Sequence, residues 1–191
     1  MEQKINFKSC YNSPIGNITI ASDGKNLTGL WFEGQKYFGY TINIKMAENN
    51  KLEIFKNTKN WLDRYFTGKR PEISELPLAP TGSDFRKNVW QILCKIPYGK
   101  VCTYGDIAQI IAKEQNIGKM SAQAVGGAIG HNPISIIIPC HRVIGSNGSL
   151  TGYAGGINTK TKLLEHEGVD VENLLELKKD KQALRFIFPH S

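Results

Sequence analysis

The chain has 191 residues, 40% of them hydrophobic and 21% charged, with a formal net charge of +7. This is the composition of an ordinary soluble globular protein, long enough for one large domain or two small ones, and no apolar run is long enough to cross a bilayer as a helix. The start, Met1-Glu2-Gln3-Lys4, lacks a signal-peptide pattern, and Cys10, Cys94, Cys102 and Cys140 form no Cys-x-x-Cys pair or zinc-finger spacing; a cytoplasmic protein with no membrane partner, structural metal or disulfide framework is expected.

The first part, 1–79, opens with β-type segments near 4–11, 15–21 and 27–33, with turn chemistry at Ser13-Pro14-Ile15-Gly16 and Asp23-Gly24. A helix is predicted near 51–66, where Leu52, Phe55, Leu62, Tyr65 and Phe66 tend to one face, stopped by Thr67-Gly68-Lys69-Arg70-Pro71. Pro77, Pro80 and Gly82 mark a linker.

The second part, 80–177, reads as mostly helical. Ser83 caps a helix whose Phe85, Val89, Ile92 and Leu93 follow amphipathic spacing, ended by Ile96-Pro97-Tyr98-Gly99. Thr103 and Asp106 make a capping-box-like start for a helix through Ala112, and Ser121 caps a short one through about Ile129. The break at Asn116-Ile117-Gly118 gives this pair the form of a helix-turn-helix. Asn147-Gly148 suits the turn of a wing-like hairpin, and a last helix from about Thr159 ends at Gly168. Residues 178–191 are a tail without assignable pattern. Charge is unevenly spread: residues 81–164 hold nine Lys/Arg against three Asp/Glu, and 165–177 hold five acids and no Lys/Arg. That footprint permits a polyanionic partner such as nucleic acid.

Pro139-Cys140-His141-Arg142-Val143 carries the chemistry. A thiol stands beside an imidazole, and a neighbouring base or positive charge raises the thiolate fraction. Pro139 disfavours helix for Ile138, so Ile136-Ile137-Ile138 is predicted to be an extended segment delivering the thiol. Taken singly, Cys140 is a small buried hydrophobe, His141 a structural histidine, Glu167 a last-turn helix residue, and Tyr104 and Tyr153 core aromatics. Cys94 and Cys102 are packing residues, and no role is expected of His131.

The flanking motifs change that balance. Residues 98–168 resemble the active domain of the O6-alkylguanine-DNA alkyltransferases, also called methylated-DNA–protein-cysteine methyltransferases. The resemblance rests on Tyr98-Gly99-Lys100-Val101, Thr103-Tyr104-Gly105-Asp106-Ile107-Ala108, Ala124-Val125-Gly126-Gly127-Ala128 and Asn132-Pro133. It continues through Ile138-Pro139-Cys140-His141-Arg142-Val143, Gly152-Tyr153-Ala154-Gly155-Gly156 and His166-Glu167-Gly168. The first part is similar to the family's small domain only in its order of elements.

The resemblance implies a small ribonuclease H-like α/β domain followed by a winged-helix-like domain that binds alkylated duplex DNA through the minor groove, as a monomer and without a cofactor. It implies a suicide reaction in which Cys140 takes a methyl or other alkyl group from O6 of guanine, less readily from O4 of thymine, after the nucleotide is flipped out of the stack. Glu167 would orient His141, which would take the thiol proton through a water. Tyr104 would face N3 of the base, and Asn132 would tie the helix-turn-helix to the active-site loop. Val143, Tyr153, Ala154, Gly155 and Gly156 would line the pocket, with the Ala154 amide on O6 and the carbonyls of Cys140 and Val143 on the exocyclic amine. Ser121, Ala122, Gln123, Ala124 and Gly126 would face DNA. Where the family usually carries an intercalating arginine this chain has Gln123, which lacks the stacking plane and the charge. A non-catalytic damage sensor, a helix-turn-helix regulator and a cysteine hydrolase are the rival classes; single-equivalent stoichiometry separates the last from a suicide protein.

Overall fold

The structure, a computed structural model, describes residues 6–42 and 46–174. The tail 178–191 and the start of the first predicted strand therefore lie outside the described residues. The chain opens with β1 (Phe7–Ser13), β2 (Gly16–Ser22) and β3 (Leu27–Phe32), an antiparallel meander in which Ser13 pairs with Gly16 across a two-residue turn. The short β4 (Ala47–Glu48), not foreseen from the sequence, adds in parallel to β1, giving the order β3-β2-β1-β4. Helix α1 (Glu53–Phe66) buries Ile54, Phe55, Thr58, Trp61, Leu62 and Tyr65.

Every residue of β3 is buried although it ends the sheet. Its outer edge is covered from two places. Leu27 pairs with the backbone at 77–79, the predicted linker, and Leu30 exchanges hydrogen bonds with Pro133 and Ser135, at 2.8 and 2.9 Å. An open edge would expose unpaired amides; here the second pairing fastens the segment leading to Cys140 onto the N-terminal sheet.

The helical part follows: α2 (Asp84–Cys94), α3 (Tyr104–Glu114), α4 (Ala122–Gly130) and α5 (Ile157–His166). Ser83 accepts from Arg86 N, Thr103 and Asp106 form a reciprocal capping box, and Ser121 accepts from Ala124 N. Each cap satisfies amides that the first turn leaves free. Strands β5 (Cys102–Thr103) and β6 (Val143–Ile144) pair in parallel. One apolar core runs through both parts, from Ile18 in β2 to Leu163 in α5.

Two local expectations fail. Residues 135–137 form a turn rather than an extended segment: Ile136 takes φ +68°, and Ile138 N bonds Ile134 O at 3.0 Å. Ile136, Ile137 and Ile138 are all buried, which a strand with alternating faces achieves only when covered on both sides, whereas a compact turn inside the core buries all three. At Asn147-Gly148 the chain does turn, with Gly145 N bonded to Ser149 O, but β6 pairs with β5 and no hairpin ladder flanks the turn.

Candidate active site

The β5–β6 ladder assembles the site. It pairs Cys102 with Val143 and Thr103 with Ile144, so the residue after β5, Tyr104, and the single 3-10 turn before β6, Cys140–Arg142, lie side by side. Asn132, just past the end of α4, holds that turn. Its Nδ2 donates to Ile138 O at 2.8 Å and to Cys140 Sγ at 3.0 Å, while its Oδ1 accepts from Ile134 N at 3.0 Å. One amide thus closes the loop on itself and touches the thiol.

Cys140 is 5% exposed. Burial pushes its thiol up from the ordinary value, opposed by the Asn132 hydrogen bond, the charge of Lys160 and the amides of Cys140 and His141. The resting group is therefore a thiol at neutral pH, and any nucleophilic step has to dispose of its proton. Cys94 is pushed up to about 11 by burial, opposed by the charge of Arg142.

A buried imidazole and a buried carboxylate lie behind the thiol. His141 is fully buried, with Nε2 2.7 Å from Glu167 Oε1. Glu167 follows the last turn of α5, where its carboxylate accepts from five donors. Oε1 takes Tyr65 Oη at 2.8 Å, His141 Nε2 and Arg142 Nη2 at 3.0 Å; Oε2 takes Arg142 Nε at 2.8 Å and Gly99 N at 3.1 Å. Burial alone would raise the carboxyl, but His141 and Arg142 outweigh it and hold it well below the usual carboxylate range. Burial, together with the charges of Arg142 and Lys160, lowers His141 despite Glu167. An ionised carboxylate accepts only, so the neutral imidazole donates through Nε2 and keeps its lone pair on Nδ1, a buried atom with no protein partner among the described residues.

Tyr104 Oη donates to Thr151 O at 2.9 Å, and its phenol is pushed up to about 12, by burial first and then by Cys140 and Cys102. Lys160 has the same carbonyl at 3.2 Å and also donates to Val143 O. The Val143 carbonyl, assigned above to the base, therefore already has one donor and keeps one lone pair; the Cys140 carbonyl accepts from Val143 N. Tyr153 is buried, Ala154 and Gly155 are half-buried and Gly156 is exposed at the start of α5. Ser121, Ala122, Gln123 and Ala124 are exposed together at the N-terminal end of α4, and Gly126 lies against the Tyr104 ring. Among the described residues no three His, Cys, Asp or Glu side chains are grouped as a metal site.

Sequence reasoning missed Tyr65 and Lys160. Tyr65 reads as one more apolar position of α1, and only the packing of the two parts brings it, 102 positions away, to Glu167. Lys160 reads as a solvated helix lysine, yet it is fully buried and burial lowers it to about 8. Its signal was position: a lone Lys on the core-facing side of α5, one turn before Leu163 and Leu164.

Comparison with known proteins shows the family. Residues 6–80 match the 6-O-methylguanine DNA methyltransferase ribonuclease-like domain, and residues 84–169 match the 6-O-methylguanine DNA methyltransferase DNA binding domain. A methylated-DNA–protein-cysteine methyltransferase of Haemophilus influenzae is 40% identical over 159 residues, covering 83% of this chain and 84% of that protein. One of Methanosarcina barkeri is 47% identical over 156 residues, covering 81% and 92%. The crystal structure of Mycobacterium tuberculosis OGT in complex with DNA superposes with a TM-score of 0.72 at 37% identity, over 93% of this chain and 98% of that one. A chain with both domains in order, and with relatives this similar along most of its length, belongs to the 6-O-methylguanine DNA methyltransferase family and is a DNA-binding repair protein that transfers an alkyl group from DNA to a cysteine.

Proposed function

We propose that Cys140 is the accepting cysteine and that its proton leaves through His141. The observation that carries this reading is the buried Glu167–His141 contact directly behind the turn bearing Cys140, which leaves Nδ1 as the free base. Sγ is hydrogen-bonded to Asn132 rather than to the imidazole, so one water is the natural relay from thiol to Nδ1. The thiolate attacks the alkyl carbon on O6 of guanine; the S–C bond forms as the C–O6 bond breaks, and the electron pair stays on the base. Tyr104 supplies a proton or hydrogen bond to the departing base by giving up its bond to Thr151 O. The thioether is not hydrolysed, so each molecule acts once.

The reacting carbon lies inside the duplex, so the nucleotide is flipped into the space beside Tyr104, Tyr153, Ala154, Gly155 and Gly156. The exposed N-terminal end of α4, Ser121 to Ala124, enters the minor groove. Gln123 fills the vacated position less well than an arginine would, since it offers neither a guanidinium plane nor a charge. The protein acts as a monomer in the cytoplasm, needs no cofactor, and treats O4-alkylthymine as the poorer substrate.

The test is the intact mass of the protein after incubation with excess duplex containing O6-methylguanine. Wild type gains one methyl mass, saturating at one equivalent, and Cys140→Ala gains none. Transfer that persists in Cys140→Ala would assign the chemistry to another cysteine; lesion binding without any mass gain would leave a damage sensor.

A further inference from the structure

Buried aromatics need no functional explanation, but three exposed ones in a five-residue stretch do. In Lys36-Tyr37-Phe38-Gly39-Tyr40, the tyrosines and the phenylalanine are 48%, 45% and 65% exposed in the order Tyr37, Phe38, Tyr40. The stretch leaves β3 in the N-terminal part yet is fastened to the active domain. Lys36 N donates to Ala154 O at 3.1 Å, and the Tyr37 ring stacks on His131 at 4.0 Å between centroids. His131 closes the C-terminal end of α4, its Nδ1 2.7 Å from Gly127 O, and Tyr40 meets its ring edge-on at 5.8 Å. Phe38 turns the other way and packs on Trp31 at 5.3 Å. Phe38 thus holds the stretch to the N-terminal sheet, while Tyr37 and Tyr40 hold it to His131, all three keeping exposed ring surface. Tyr37 holds φ +60°, a region a bulky residue rarely takes unless its surroundings impose it.

Between this loop, the glycine face of α4 and the 152–157 loop lies an open cavity of about 420 Å³ whose wall includes Tyr153, Ala154 and Gly156, the space proposed above for the flipped nucleotide; Lys36, Tyr37 and His131 complete that wall, which among the described residues holds no carboxylate. Exposed ring faces, one cation, a helix flank of Gly126, Gly127 and Gly130, and no acidic group suit a stacked, anionic, planar ligand. That is the chemistry of a nucleotide in a strand whose stacking has been interrupted.

We propose that Tyr37, presented by the N-terminal domain with one face on His131 and with Tyr40 edge-on to it at 6.2 Å and 70°, offers its other face to a nucleobase of the substrate strand next to the flipped nucleotide, with Lys36 on the adjoining phosphate. This rests on the reading that the lesion strand docks along α4 and the 152–157 loop. It makes the N-terminal domain a DNA-contacting part rather than only a support, and gives the duplex a second hold besides Gln123.

The experiment uses the full chain in a Cys140→Ala background, with duplexes carrying O6-methylguanine and 2-aminopurine at either neighbouring position. The double variant Tyr37→Ala/Tyr40→Ala is expected to bind about tenfold more weakly, the effect of losing one base–aromatic stack. It is also expected to lose the quenching of 2-aminopurine that stacking causes, while Tyr37→Phe/Tyr40→Phe keeps both. In otherwise wild-type protein, methyl transfer at subsaturating DNA is expected to fall in step with the affinity in the alanine variant and to be kept in the phenylalanine variant. Unchanged affinity in the alanine variant overturns the proposal and leaves the patch to a protein partner. Equal losses in the alanine and phenylalanine variants overturn stacking as its basis. A wild-type chain that transfers methyl normally but never quenches 2-aminopurine refutes the platform alone; one that binds no lesion DNA refutes the docking reading beneath it.

Discussion

Replacing Glu167 by Gln tests the network behind Cys140 most severely. The carboxylate accepts from Tyr65, His141, Arg142 twice and Gly99, and its side chain is fully buried. Glutamine offers one acceptor oxygen and turns an NH2 group either toward Arg142 Nε and Gly99 N, which cannot accept, or toward Arg142 Nη2, Tyr65 and His141, of which the last two accept only by reversing their present roles as donors. Either way the Arg142 guanidinium, itself 9% exposed, loses its counter-charge. Breaking a buried ion pair from one side costs about 3–5 kcal/mol, a large share of the roughly 5–15 kcal/mol that holds a domain folded. The pH dependence has a definite sign. The folded pKa of Glu167 is depressed, so its stabilisation is complete above the ordinary carboxylate value of about 4.3 and is lost only as pH falls toward the lower folded value. Urea unfolding at pH 7 and pH 3 is expected to show a large gap between wild type and Glu167→Gln at neutral pH that narrows in acid. Single-turnover methyl transfer is expected to fall by about 100-fold or more, because the imidazole loses the acceptor that fixes its tautomer. Where Glu167→Gln does not fold, Tyr65→Phe removes one donor and is expected to cost about 1 kcal/mol with the tautomer kept. An unfolding free energy of Glu167→Gln within about 0.5 kcal/mol of wild type, the scatter of neutral surface changes, would refute this reasoning.

Three further outcomes are expected. Gly152→Ala puts a Cβ 2.5 Å from Tyr104 Oη at a residue with φ +85°, so it should displace the Tyr104 hydroxyl, slow transfer and destabilise the fold by about 1–3 kcal/mol in thermal or urea unfolding. Lys160→Met removes a cation that lowers the Cys140 thiol, so the pH profile of transfer should move to higher pH. The Lys160 pKa, about 8 when folded, lies below the ordinary value of about 10.4, so wild type should gain stability relative to Lys160→Met as pH rises between the two. Gln123→Arg should tighten lesion binding and steepen its salt dependence by about one counterion in a titration of affinity against salt; unchanged affinity and slope would show that position 123 does not enter the DNA.

Much of the architecture was local and therefore readable. The caps at Ser83, Thr103 and Ser121 are side-chain-to-amide bonds spanning three residues, so their sequence signal and their structural cause are the same thing. The Cys140-His141 pair was readable for the same reason, and the ordered motifs around it carried the family. Contacts between distant segments were not readable. Ile136-Ile137-Ile138 reads as a strand because nothing in three isoleucines says that a core surrounds them on every side, and only the pairing of Leu30 with the 133–135 backbone and the grip of Asn132 turns them into a compact loop. Tyr65 and Lys160 look like an ordinary apolar position and an ordinary charged one, until the docking of α1 and α5 places one on Glu167 and the other on the Val143 carbonyl. Sequence by itself determined the caps, the helix-turn-helix spacing and the adjacent Cys140-His141 pair proposed as nucleophile and base, since each depends on neighbours within one turn or one motif. Tertiary structure alone decided the protonation of the thiol, the number of donors on Glu167 and the surface around Tyr37, because burial and charge at a point are sums over everything that packs there.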